Sequence, residues 1–62
     1  MTYIIIVKDE DDYDIYLTTI EGTRAEAKAH ASDLLNEKEM IAAGAFKVEV
    51  IYNEVCVWDK FK

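Results

Sequence analysis

The sequence predicts an α+β fold, a two-layer ββαββ sandwich in which one helix packs on a four-stranded, mainly antiparallel sheet. Three observations lead there. Tyr3 to Val7 is an unbroken apolar, largely β-branched run. Thr23-Arg24-Ala25-Glu26 has the spacing of a capping box and opens a stretch of strong helix formers. Phe46 to Tyr52 alternates apolar with charged residues and is followed by a second short apolar segment.

The first run, Tyr3 to Lys8, reads as a strand apolar on both faces. Asp9-Glu10-Asp11-Asp12 has no strand propensity and cannot be buried, so it forms a hairpin loop before a second strand at Tyr13 to Thr18. Gly22 breaks that strand, and the helix begins at the capping box. From Arg24 to about Glu39 there is no Gly or Pro, and Ala27, Ala31, Leu34 and Leu35 fall on one stripe at 100° per residue. The helix is expected to end between Glu39 and Ala43, with Gly44 as the left-handed stop. Phe46 to Tyr52 and Val55 to Trp58 then form a hairpin across Asn53-Glu54, where Asn53 tolerates positive φ. A helix that returns the chain to the edge of the first strand gives the order 2-1-3-4. The alternative is a β-grasp arrangement with parallel central strands.

Size and charge bound the function. A chain of 62 residues holds one domain, residues 1–62, and 52% apolar content places it among globular proteins. A domain this small buries only about 60% of its unfolded surface, so a partner or a second copy is a serious expectation. There are 13 Asp and Glu against 7 Lys and Arg, and the net charge of −6 disfavours direct binding to nucleic-acid phosphates. One cysteine, Cys56, allows no internal disulfide, which suits a cytoplasmic protein. No apolar run is long enough for a membrane span or signal-peptide core, and no membrane association is expected.

No catalytic or cofactor motif emerges. His30 is the sole histidine, on the helix beside the acidic residues, and Cys56 has no basic sequence neighbour to lower its pKa. The two glycines, Gly22 and Gly44, are too far apart for a phosphate-binding loop. Asp9, Asp11 and Asp14 offer oxygen ligands, but an EF-hand loop starting at Asp9 would need a glycine at Asp14 and a glutamate at Ile20. Neither an enzyme, a cofactor nor a metal site is therefore expected.

The informative features are on the surface. One helix covers one face of a four-stranded sheet. With Tyr3, Ile5, Val7, Ile15, Leu17, Val48, Val50, Val55 and Val57 turned to the helix, the other face carries Ile4, Ile6, Tyr16, Ile51, Cys56 and Trp58. Such a patch marks an interface, unless the long side chains of Glu49, Lys47 and Lys8 shield it and strand twist buries part of it; Tyr16 and Trp58 are its aromatic anchors, with Tyr3 and Tyr13 placed under the helix. Charge clusters at Asp9, Glu10, Asp11, Asp12 and Asp14, and again along the helix at Glu26, Asp33 and Glu37. Carboxylates spaced about 6.6 to 6.8 Å apart along a strand can imitate a run of phosphates; the plain alternative is a solvated loop and helix face.

Tyr3 through Val7, the acidic turn, Tyr13 through Leu17 and Gly22-Thr23-x-x-Glu26-Ala27 together resemble the N-terminal part of HicB-type antitoxins, over roughly half the chain. The third strand of that family, with its Pro and Gly-Cys segment, and its C-terminal DNA-binding extension have no counterpart. Their functions are not implied here. In profile the chain is also similar to small phage proteins that block host defence or host enzymes, a likeness of class alone. The sequence thus leads to a non-enzymatic protein that binds another protein as an inhibitor or antitoxin-like factor, its acidic surface meeting a basic one. The alternative is a self-associating structural or accessory domain that dimerises through Ile4, Ile6 and Trp58.

Overall fold

Six elements run along the chain in the computed structural model, which describes residues 1–62: β1 (Thr2–Lys8), β2 (Asp14–Glu21), α1 (Arg24–Leu35), α2 (Lys38–Ala42), β3 (Lys47–Tyr52) and β4 (Val55–Phe61). The strands form one sheet in the order β2-β1-β3-β4, with every neighbouring pair antiparallel. The expected α+β sandwich and its 2-1-3-4 order are therefore present. The antiparallel pairing of β1 with β3 overturns the β-grasp alternative.

Local chemistry explains the turns. In the β1–β2 hairpin, Asp9 Oδ1 accepts the N–H groups of Asp11 at 2.9 Å and Tyr13 at 3.0 Å, while Asp12 takes a left-handed φ of 68°. Asn53 and Glu54, at φ 53° and 66°, make the two-residue turn between β3 and β4, with the paired positive angles of type I′. At the start of α1 the capping box is complete: Glu26 N–H donates to Thr23 Oγ1 at 3.2 Å, and Thr23 N–H donates to Glu26 Oε1 at 2.9 Å.

The helix ends earlier than the sequence suggests. α1 stops at Leu35, where Asn36 N–H turns to Asp33 O and Glu37 N–H to Leu34 O, both at 3.1 Å. The Asn36 side chain donates back to Ser32 O at 3.2 Å, which satisfies a carbonyl the helix would otherwise leave open. Glu37 is extended, and the chain restarts as the short α2. Gly44 closes α2 as expected, at φ 92°: Gly44 N–H reaches Ile41 O and Ala45 N–H reaches Met40 O, the two bonds of a Schellman stop.

The core lies between α1 and the central strands. Ala27, Ala31, Leu34 and Leu35 pack from α1 against Tyr3, Ile5 and Val7 of β1 and Val48 and Val50 of β3, and Ala45, just after α2, is buried with them. The two alanines are fully buried, so the N-terminal half of α1 sits close on the sheet. Tyr3 also stacks at a tilt on Tyr52, with ring centroids 5.2 Å apart. Tyr13, placed under the helix on sequence grounds, is instead 70% exposed, because it lies in the hairpin loop before β2 begins. No helix is long and apolar enough to cross a membrane.

Candidate functional site

α1 rests chiefly on β3 and β1, and the other side of the sheet has no second layer. Strand register shows which residues occupy it. Ile4 pairs with Thr19 and Ile51, Ile6 with Leu17 and Glu49, and Lys8 with Asp14 and Lys47. Because directly paired residues of an antiparallel sheet share a face, these residues, with Cys56 opposite Ile51 and Asp59 opposite Glu49, form the open face.

This face has two halves. One is apolar: Ile4 is 38% and Leu17 59% exposed, with Ile6 half-buried next to Leu17, Ile51 half-buried next to Ile4 and Cys56 alongside. The other is charged. Lys8 Nζ lies 3.3 Å from Asp14, 3.6 Å from Asp12 and 4.0 Å from Glu49. Lys47 Nζ lies 3.0 Å from Glu49 and 4.0 Å from Asp12, and it sits 5.3 Å from the centroid of the Phe61 ring. Phe61 packs edge-on against Phe46. The hydrogen bond to Asp14 raises the pKa of Lys8 against an opposing desolvation effect, and Glu49 raises that of Lys47 in the same way.

Two aromatic anchors lie elsewhere. Tyr16 pairs with the buried Val7 and Trp58 with the buried Val50, so both stand on the helix side, and Leu17 takes the open side in place of Tyr16. A bulge in each edge strand causes the switch. Val7 pairs with Tyr16 and Lys8 with Asp14, which leaves Ile15 as the extra residue; Val57 is extra in β4 by the same geometry. Ile15, Val57 and Trp58 consequently pack against the core.

The acidic residues separate by task. Asp9 organises the hairpin, Asp12 and Asp14 are held by lysines, and Glu26 completes the capping box. Backbone and side-chain hydrogen bonds from Thr23, in that order, lower the pKa of Glu26. Glu10 and Asp11 are exposed and make no ion pair, so the hairpin tip retains uncompensated negative charge. Asp33 and Glu37 are exposed on the helical layer, with Glu37 as the N-cap residue of α2. The structure therefore sets Ile4 and Ile6 on the open face, with Lys8 between Ile6 and the hairpin acids, and leaves Glu26, Asp33 and Glu37 on the opposite layer.

Leu17 and Phe61 belong to the open face without having been expected there, while Lys8, Lys47 and Glu49 lie on it as the long side chains expected to shield it. The alternation of Lys47, Glu49 and Ile51 carried the signal for β3; nothing in the sequence revealed Leu17, since its parity depends on the bulge. No group of three or more His, Cys, Asp and Glu side chains converges to hold a metal ion, and the surface has no pocket. His30 lies exposed on α1, in the layer opposite Cys56. Comparison with protein-family models, with curated proteins and with solved structures finds no match, and none of them supports the resemblance of the first half to HicB-type antitoxins.

Proposed function

We propose that this chain is a non-enzymatic protein-binding module, an inhibitor or antitoxin-like factor, that presents the open face of its sheet to a partner with a basic surface. The observation that carries this reading is the apolar half of that face, with Ile4 and Leu17 exposed and Ile6 and Ile51 half-buried, in a chain whose hairpin tip keeps unpaired acids. Burying such a patch supplies affinity, and the field of a chain with net charge −6 supplies speed and partner choice.

Ile4→Lys tests the apolar part. Ile4 is already 38% exposed, so the variant should keep its thermal transition and lose the partner. Glu10→Gln with Asp11→Asn tests the electrostatic part: association should slow and lose much of its salt dependence, while dissociation changes little. A second reading, self-association through the same face, has one observation in its favour, since a face that holds Lys8 and Lys47 beside Glu49 and Asp59 offers both signs to a second copy. Sedimentation of the wild type and Ile4→Lys distinguishes the two readings.

A further inference from the structure

We propose that the outer edge of β2 is a strand-addition site, and that its occupant is an extended segment of another protein, apolar or β-branched at its centre and basic at both ends. The proposal rests on the protein-binding reading and deepens it by naming how the partner attaches. The bond from Gly22 N–H to Met1 O, at 2.9 Å, sets the phase of the β1–β2 ladder. Counting back by twos, Ile20, Thr18 and Tyr16 turn their backbone groups inward to β1, and Glu21, Thr19 and Leu17 turn theirs outward. Those outward groups have no strand beside them, because β2 is the first strand of the sheet.

The two sheet edges differ in protection. β4 carries a bulge at Val57 in its middle and the charges of Asp59 and Lys60 beyond it, devices that discourage pairing. From Tyr16 to Ile20, β2 has no charge, no proline and no bulge, since its one irregularity lies at Ile15. α1 sits over β3 and β1, so Tyr16 remains 39% exposed on the helix side and Leu17 59% exposed on the other. An added strand would cover apolar surface on both sides.

Charge decides between occupants. β2 is acidic at both ends, with the uncompensated hairpin tip and the Lys8-paired Asp14 at one and Glu21 at the other. A second copy paired antiparallel with full overlap sets Glu21 beside Asp14 of its mate at each end, between two chains of net charge −6. A strand with lysine or arginine at its ends meets opposite charge at the same places.

The test uses the full chain and a capped peptide, Lys-Lys-Val-Thr-Val-Thr-Val-Lys-Lys, with amide exchange followed residue by residue. The expected result is that exchange at Leu17, Thr19 and Glu21 slows by about tenfold or more with this peptide. Its glutamate-ended or alternately N-methylated counterparts should have no such effect. Thr19→Pro removes only an outward-facing N–H, so it should preserve the fold and abolish the protection. Unchanged exchange at the three amides in wild type overturns strand addition. The protein-binding reading still stands in that case if Ile4→Lys loses its partner. Protection that rises with protein concentration without peptide overturns the basic-segment occupant and installs a second copy.

Discussion

A Cβ added at Gly22 would lie 2.6 Å from Oε1 of Glu26, the same oxygen that accepts the Thr23 N–H in the capping box. Gly22 also takes a φ of 150° and donates its N–H to Met1 O, so this one residue joins the end of β2 to the start of α1. Gly22→Ala should destabilise the fold by about 1–3 kcal/mol through backbone strain and displacement of the carboxylate. Thermal melts of Gly22→Ala, Glu26→Ala and the double variant check the coupling. The double variant should be less destabilised than the sum of the singles.

Thr23→Ala removes the other half of the box and should lower stability by about 1 kcal/mol, a shift of roughly 4–8 °C in Tm for a domain of this size. An unshifted transition would mean that packing of Ala27 and Ala31 alone determines where the helix starts.

Glu54 adopts a φ of 66° with a side chain that disfavours it. Glu54→Gly relieves the strain at the second turn position and, after the added freedom of the unfolded chain, should stabilise by about 0.5–1 kcal/mol. Urea denaturation measures it, and a destabilised variant would show that the Glu54 side chain has a role beyond the turn.

Stability should decline at both ends of the pH scale for opposite reasons. The pKa of Glu26 is lowered in the fold, so its contribution is present above the ordinary value of 4.5 and is lost as pH falls through the folded value. Lys8 and Lys47 are raised, so theirs are present below 10.5 and are lost as pH rises through the folded values. Glu26→Gln should flatten the acid side and Lys8→Met the alkaline side. Added salt should weaken the lysine contribution, since Asp12 and Asp14 are exposed.

Much of this architecture was legible because local signals agreed with the global fold. The capping box, the Asn53 turn and the Gly44 stop each act within a few residues, and the parity of β3 is written in Lys47, Val48, Glu49 and Val50. The bulges at Ile15 and Val57 were not legible, because one extra residue reverses the alternation without any marker such as glycine. Tyr16, Leu17 and Trp58 changed sides for that reason. The end of α1 was hidden as well: Asn36 stops the helix through hydrogen bonds to Ser32 and Asp33, whereas the residues after it remain good helix formers. Of the acidic cluster, composition showed the charge, but only the fold shows that Lys8 and Lys47 take up Asp12 and Asp14 and leave Glu10 and Asp11 at the tip.

Binding of another protein by the open sheet face is tested by comparing tagged wild type with tagged Ile4→Lys. Each is used to capture proteins from source-cell lysate at low and moderate salt, with mass spectrometry and light scattering on the eluates. A stoichiometric basic protein should appear on the wild type, be reduced as salt rises and be absent from the variant. The same protein retained on Ile4→Lys, or wild type returning alone at twice its chain mass, would contradict this reading.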